Sequence, residues 1–522
     1  MKKYLLKRIL FSIFALFCVI GVVMVLVYTL VNRELIFVTD PTIAKKKDNE
    51  LIMYKIQKYQ KYGYLEYENF DIYLSEKYKE KVGDGYMEDP SYIASSDCIY
   101  DEYSYKTNPD VIEFISTFQS KHYEVTYLKP VKSRTGAIVS KPYLYASKDI
   151  NAFKRLFRYF TGIFKFETIN DVEDPNLTDR YIRWEWDKRS NMPALVGSGT
   201  THKYLIYFDD KFPFVHQNIF HLNLGKSYVS YRDVDLVDVF GQPTGEVRFE
   251  QQEYPSELGS GITHETSYDF HTATYNVAEL SEIDSQIFTD KYTNVTQKHN
   301  GLSRMENSFL IGIVSTVLVY LFGLPLGLLM ALKKDKIVDK LLNVYIIFIM
   351  AVPSLAYIFM FASIGTNVFG LPYKFATAQT KFLAYILPTI SLALPAIGGL
   401  MKWMRRYMID QMNSDYVKFA RSQGLSEGEI FSKHISPNAM IYLVHGIPAD
   451  ILGALTGAVI TETVYGVPGV GALLTNAITL HDNALVVAMT LFYTVLTIIS
   501  LILGDLLLAK YDPRISFTEG GN

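Results

Sequence analysis

Residues 308–508 are dominated by long uncharged apolar runs, and residues 9–31 form another such run without a single charged side chain. A helix of roughly 20 apolar residues crosses a hydrocarbon core of about 30 Å. The runs at 9–31, 308–332, 341–364, 382–401, 439–464 and 484–509 are each predicted to span a membrane, about six in all. Between the first and second lies a different regime: residues 32–305 are rich in Tyr, Lys, Asp and Glu and read as an ordinary globular segment. Over 522 residues the chain is 49% hydrophobic and only 20% charged, more apolar than a soluble domain usually is. The net charge of -3 argues against nucleic acid as a partner. With Cys18 inside the first apolar run, Cys98 is left alone in the polar region and there is no disulfide framework.

Positive charge orients the spans. Lys2, Lys3, Lys7 and Arg8 precede the first run; Lys333, Lys334, Lys336 and Lys340 share one loop; Lys402, Arg405, Arg406, Lys418, Arg421 and Lys433 share another; Lys510 and Arg514 lie in the tail. The opposing loops carry only Lys374 and Lys381, with none from 466 to 483. The positive-inside rule therefore places both termini in the cytoplasm and residues 32–305 outside. A cleaved signal peptide is the alternative for residues 9–31, but the run is long for one and lacks a small-residue cleavage pattern. Pro325 with Gly327, Pro353, Pro388, Pro395 and Pro448 fall inside the predicted spans, where kinks are expected.

The segment from Asp415 to Pro437 reads as a helix, a glycine break and a second helix. Ser414 or Asp415 can cap the first helix, and Gly424 can take the left-handed conformation that ends it. Ser426 and Glu429 have the spacing of a capping box that starts the second. Phe419, Ala420, Leu425, Ile430 and Phe431 are expected to anchor this helix pair to membrane helices and to a partner groove, leaving Lys418, Arg421 and Lys433 available for polar contacts. Such a rigid unit suits the transmission of force.

The alignment of Ala420, Gly424 and Pro437 resembles the loop by which permease subunits of ABC importers dock onto their ATPases, written in that family as E-A-A-x3-G-x9-I-x-L-P. Residues 461–471, TETVYGVPGVG, are similar to the E-T-V-F-x-x-P-G-x-G signature of the dipeptide and oligopeptide branch, with Glu462, Pro468, Gly469 and Gly471 at the matching positions. Asp505 with Asp512, Pro513 and Arg514 resembles that branch's D-x-x-Y...D-P-R-I ending, and residues 4–10, YLLKRIL, its amphipathic start. Two departures stand out: Lys418 occupies the glutamate position of the docking motif, and His434 and Ser436 replace its isoleucine and leucine. The glutamate's usual salt bridge is therefore not carried over.

Residues 32–305 are much longer than the external loop of most such permeases, and a domain of this size can bury its own core and fold by itself. Stretches such as 203–208 (KYLIYF) and 150–164 imply mixed α and β content. Residues 220–228, FHLNLGKSY, resemble the F-x-L-D-L-G-x-S-Y segment of ordinary peptide permeases, so the extra chain reads as an insertion upstream. The whole resembles the first permease subunit of oligopeptide importers in Gram-positive bacteria, which an external domain without disulfides also suits.

No catalytic site is expected. Gly225-Lys226-Ser227 ends like a P-loop, but Phe220 stands where its leading glycine belongs. His264-Glu265 lacks a second histidine at the zincin spacing, and Gly197-Ser198-Gly199-Thr200 is a turn signal rather than a nucleophile elbow. His202, His216 and His221 read as solvated or core histidines, and no metal site is assigned. Asp450, at membrane depth, either lines a path or makes a helix contact, whereas Glu462 belongs to the signature and braces the loop after it.

The resemblance implies an ABC type-1 permease fold and the following division: a cytoplasmic N-terminus (1–8), helix 1 (9–31), an extracellular mixed α/β domain (32–305), a permease core with helices 2–6 (306–510) and a cytoplasmic tail (511–522). It further implies a lipid-embedded heterodimer with a second homologous permease, two cytosolic ATPase subunits that use ATP and Mg, and an extracellular lipid-anchored binding protein delivering peptide. This chain would itself bind no cofactor. A permease for dipeptide, nickel or another small solute is the close alternative, and a membrane-anchored surface receptor or assembly protein the distant one.

Overall fold

The computed structural model describes residues 2–83, 85–210, 214–243, 245–253, 263–276 and 291–511. It opens with α1 (Lys2–Leu30), an uninterrupted apolar helix longer than a bilayer core is thick. A sheet-rich domain follows. Its first half comprises α2 (Asp48–Lys61), β1 (Leu65–Asn69), α3 (Phe70–Val82), α4 (Pro90–Asp97), α5 (Glu102–Thr107), α6 (Pro109–Ser120), β2 (Glu124–Leu128), β3 (Val131–Lys132), β4 (Ile138–Ser140) and β5 (Tyr143–Asp149). β5 is the centre of an antiparallel sheet between β1 and β2, with Leu65 opposite Asp149 and Glu124 opposite Ser147. Because strand side chains alternate, β5 serves two cores: Leu144 and Ala146 pack with Phe70, Leu74 and Phe114 of the helices, and Tyr145 faces the core around Leu65 and Tyr67.

The second half comprises α7 (Ala152–Gly162), β6 (Phe164–Phe166), β7 (Ile182–Asp187), β8 (Met192–Gly197), β9 (Tyr204–Phe208), β10 (Val215–Gln217), β11 (Phe220–Leu222), α8 (Leu236–Gly241), β12 (Glu250–Glu253), β13 (Thr263–Thr266), β14 (Tyr268–Tyr275) and β15 (Tyr292–Gln297). β7 to β10 form a four-stranded meander, while β6 pairs with β11, β12 with β13 and β14 with β15. The helical and strand patterns of 150–164 and 203–208 thus appear as α7 and β9.

This domain buries cores of its own, as its size allows, and is also joined to the membrane helices. One continuous apolar core joins Ile20 and Met24 of α1, Tyr59 of α2, Leu236 and Phe240 of α8, and Leu485 and Ala488 near the start of the last helix. The domain buries aromatic and aliphatic faces against the membrane helices in addition to the cores it forms within itself.

The remainder is helical: α9 (Arg304–Leu332), α10 (Ile337–Ala351), α11 (Ser354–Phe369), α12 (Lys381–Met412), α13 (Asp415–Ser422), α14 (Ser436–Val444), α15 (Ile447–Tyr465), α16 (Val470–Thr479) and α17 (Asn483–Tyr511). Among the described residues, five helices are long and apolar enough to cross a membrane, or six if α10 and α11 make one span. That pair is bent by 113°, so the predicted straight span at 341–364 is broken. Val352 is extended, as steric conflict with the following Pro353 requires, and the helix restarts at Ser354. The predicted span at 439–464 is likewise divided into α14 and α15 around Gly446, with Pro448 in the first turn of α15. Pro325, Pro388 and Pro395 instead lie within continuous helices. α9 starts at Arg304, ahead of the apolar run, because Ser303 and Glu306 form a capping box.

Candidate functional site

The helix pair at 415–437 is built from local rules. α13 ends at Gly424, whose φ of +83° lies in the left-handed region that glycine adopts without a Cβ penalty. Ser426 then caps the next helix: its hydroxyl accepts the Glu429 N–H at 3.3 Å while the Glu429 carboxylate accepts the Ser426 N–H at 3.2 Å. From Glu427 the chain runs through a π-helical stretch, Ile430–Ile435, into α14, with Pro437 in that helix's first turn. The π stretch was not foreseen. Val417, Ala420, Ile430 and Ile435 are buried against Met404 and Met408 of α12 and Ala439 of α14, with Leu425 and Phe431 packed alongside. Phe419 points outward, 64% exposed.

The cations of this loop form ion pairs within it while remaining at its exposed surface. Lys418 donates to Asp415 at 2.7 Å, Arg421 grips Glu427 through two bonds of 2.7 and 3.1 Å, and Lys433 lies 3.7 Å from Glu429. The Lys418 and Asp415 side chains face solvent together, so this short-range pair occupies the position of the family glutamate. The His434 carbonyl accepts the Asn438 side chain at 2.8 Å and the Tyr416 hydroxyl at 3.3 Å, closing α13 onto α14. What the loop presents outward is a rigid surface with Phe419 as its apolar point.

Glu462, Pro468, Gly469 and Gly471 meet at a second centre. Glu462, fully buried, accepts the Ser308 hydroxyl at 2.6 Å and the N–H groups of Gly471 and Ala472 at 2.9 and 3.2 Å. Its carboxylate thus sits on the N-terminus of α16, where free backbone donors and the helix dipole favour negative charge. Ser308 passes the arrangement on by accepting the Val470 N–H at 2.8 Å, and Asn307 donates to the Pro468 carbonyl at 3.1 Å. The glycines make room for it: a Cβ at Gly469 would lie 2.2 Å from a Glu462 oxygen, and one at Gly471 would lie 2.6 Å from the Val459 backbone.

Asp450 accepts the Tyr320 hydroxyl at 2.5 Å and also lines a cavity of about 470 Å³ between α9, α12, α14 and α15, with Thr316, Trp403 and Tyr442 on its walls. It makes a contact between α9 and α15 and stands in the wall of that cavity. Asp505 pairs with Arg8 at 3.2 Å, joining α17 to α1. Asp512, Pro513 and Arg514 lie outside the described residues.

Two further carboxylates escaped sequence reasoning. Asp339, buried at the start of α10, takes both nitrogens of a bidentate Arg405 at 2.7 Å each, tying α10 to the helix that leads into the 415–437 loop. Asp482, also fully buried, caps α17 through the Leu485 N–H and receives the 227–230 turn of the sheet-rich domain. The capping position of Asp482 is local, but the partners that give both residues their roles, Arg405 and residues 227–230, are distant in the chain.

A membrane permease core, carrying a helical loop braced against its longest helix and a large domain fused to its first and last helices, is the class these features define. Residues 323–517 match the family of binding-protein-dependent transport system inner membrane components, and the chain belongs to that family. It is 34% identical to the oligopeptide transport system permease protein AmiC of Streptococcus pneumoniae over 535 aligned positions, covering 100% of both chains. The dipeptide transport system permease protein DppB of Lactococcus lactis is 29% identical over 227 positions, 43% of this chain and 73% of that one. Among solved structures, the inward-facing MetNI methionine ABC transporter aligns with 40% of this chain and 94% of its own at 14% identity and a TM-score of 0.32.

Proposed function

We propose that this chain is a pore-forming permease subunit of an ATP-driven oligopeptide importer. The observation that carries the reading is the match to AmiC along the entire chain, the enlarged domain included, whereas the shorter DppB of Lactococcus lactis aligns with only 43% of it. In this reading the 415–437 loop lies in the cytoplasm and fits a groove on one of two ATPases that hydrolyse ATP with Mg. The sheet-rich domain lies outside and receives a lipid-anchored peptide-binding protein. A second, related permease completes the path.

The physical argument for coupling is stiffness. The capping box, the Arg421–Glu427 pair and the buried Val417, Ala420, Ile430 and Ile435 make the loop one body with α12 and α14, so movement of a partner moves those helices. ATP then shifts the pore between inward and outward states only to the extent that the ATPases bind it better in one of them.

The test is uptake of labelled peptides of mixed length in cells lacking this gene, complemented with wild type or Gly424→Val at matched membrane levels. A β-branched side chain at φ +83° strains the backbone although no neighbouring atom blocks it, so the variant should fold but misplace the second helix. Uptake restored by wild type alone supports the coupled peptide permease. Equal uptake by both overturns the role of the loop, and no uptake defect in the deletion moves the substrate to another solute.

A further inference from the structure

Three segments of the sheet-rich domain that are far apart in sequence bring nitrogen and oxygen ligands to one point. Glu167 directly follows β6, His202 lies in the turn before β9, and His221 is the middle residue of β11. The Glu167 N–H bonds the Ile219 carbonyl at 2.8 Å, which sets its side chain beside β11. One carboxylate oxygen is fixed by the His202 backbone N–H at 3.0 Å. The other faces both imidazoles: His202 Nδ1 lies 2.6 Å from it and His221 Nε2 2.9 Å from it. The His221 nitrogen is buried yet not aligned to hydrogen-bond that oxygen, and it meets no other partner. The two rings stack with their centroids 4.6 Å apart and 17° between their planes.

Two imidazole nitrogens that converge on one carboxylate oxygen bring three metal-ligating atoms to a single point. We propose that Glu167, His202 and His221 form a binding site for a divalent transition-metal ion, zinc being the best match. Two imidazoles and one carboxylate are a borderline donor set that suits zinc and leaves a coordination position open. Metal–ligand bonds of about 2.0–2.2 Å in tetrahedral geometry need ligand atoms about 3.3 Å apart. The three ligand atoms already lie within 4.8 Å of one another. The surroundings favour a cation: the cleft of about 1380 Å³ onto which the cluster opens is lined by Asp171, Glu173, Asp235 and Asp238 against a single Lys165. Bound there, the ion staples β6, the turn before β9 and β11 together, and the open position faces the cleft.

A second cluster, Asp209, Asp269 and His271, differs in that its histidine already bonds Asp187 at 2.7 Å and Lys298 shares the pocket. It carries no proposal. His216, the remaining histidine of that stretch of sequence, stacks on Tyr207 instead and serves as an internal control.

The experiment uses the full-length protein in detergent, purified without a polyhistidine tag, stripped with chelator and dialysed against zinc. Wild type and His216→Gln should each retain one zinc per chain by mass spectrometry. His202→Gln, His221→Gln and Glu167→Gln should each bind at least about 10-fold more weakly, the loss of an outer-shell partner being a lower bound for loss of a ligand, and the double histidine variant should not bind at all. Cobalt added to the stripped wild type should show the visible bands of a nitrogen-ligated site, a readout that does not depend on whether any variant folds. Zinc, but not magnesium, should raise the thermal midpoint, because it binds the folded state alone. Substoichiometric zinc in wild type, a featureless cobalt spectrum, or equal binding by the double histidine variant would each overturn the assignment.

Discussion

The carboxylate of Asp482 accepts the hydroxyl of Ser227 at 2.5 Å, joining residues 255 positions apart. The same group takes the backbone N–H groups of Tyr228, Val229 and Ser230 at 3.2–3.3 Å and, on its other side, the Leu485 N–H at 3.2 Å. One buried anion is therefore both the N-cap of α17 and the acceptor for a whole turn of the sheet-rich domain. Tyr228 adds to the junction by stacking on Tyr62 and donating to its carbonyl at 2.9 Å.

Removing that anion should loosen the domain from the membrane helices. Asp482→Ala leaves a buried hydroxyl and several N–H groups unsatisfied, a loss of about 3 kcal/mol or more, whereas Asp482→Asn keeps one acceptor oxygen and should lose about half as much. Thermal unfolding in detergent and protease cleavage within residues 227–235 measure this. An unchanged midpoint and cleavage rate in the alanine variant would show that the apolar core alone holds the junction.

Crowding around Glu462 predicts a sharp contrast between two glycines. Gly471→Ala places a methyl 2.6 Å from the Val459 backbone and 3.0 Å from Glu462, so α16 must move off the carboxylate that holds it. Gly453→Ala, on the same neighbouring helix α15, meets nothing within 4 Å. The first should cost about 1–3 kcal/mol and the second should be neutral or slightly stabilising. Comparison of melting midpoints in matched detergent decides it, and similar values for both would remove the packing argument.

The parts of this architecture legible in the sequence are those that physics makes local. Membrane spans are written in run length because lipid offers the backbone no partner, and the break at Gly424 and the box at Ser426 and Glu429 act within one turn of helix. The bend at Pro353 was marked by its residue but not by its size, since a proline alone does not tell a kink from a restart; Pro388 and Pro395 sit in an unbroken helix. Pairings across the chain were illegible. His202 and His221 look like isolated histidines until β6, β9 and β11 bring them to Glu167, and Asp482 looks like an ordinary loop carboxylate until residues 227–230 close on it.

The domain's acid sensitivity should depend in part on Glu66. Lys154, together with Arg158 and Tyr123, holds its carboxyl down to about 2, against a usual value near 4.3. A folded-state value below the unfolded one contributes stability above the unfolded value and loses it as pH falls toward the folded value. The contribution is therefore full at neutral pH and disappears between about pH 4.5 and about pH 2. Screening of the half-exposed Lys154 and Arg158 limits it to about 1–2 kcal/mol. Glu66→Gln should melt earlier than wild type at pH 7, and the gap should narrow steadily on acidification. A gap independent of pH would assign the effect to packing of β1 against α7 and not to charge.

Asp339 and Arg405 give the most direct test of how the 415–437 loop is tied to the rest of the core. The pair is bidentate, and the Asp339 side chain is 2% exposed, so truncating the arginine leaves a buried carboxylate with only the Asp335 N–H and the Asn343 amide as donors. Arg405→Ala should destabilise by about 3 kcal/mol, because an uncompensated buried charge costs more than the pair contributes. Arg405→Lys keeps the charge but offers no planar fork, and it should fall between the alanine variant and wild type. The decisive member is the double variant Asp339→Ala with Arg405→Ala: with both charges gone it should be more stable than Arg405→Ala alone, which thermal unfolding of the four proteins reads as a coupling term. Strict additivity would mean that the two side chains act separately and that the ion pair does not hold α10 to α12.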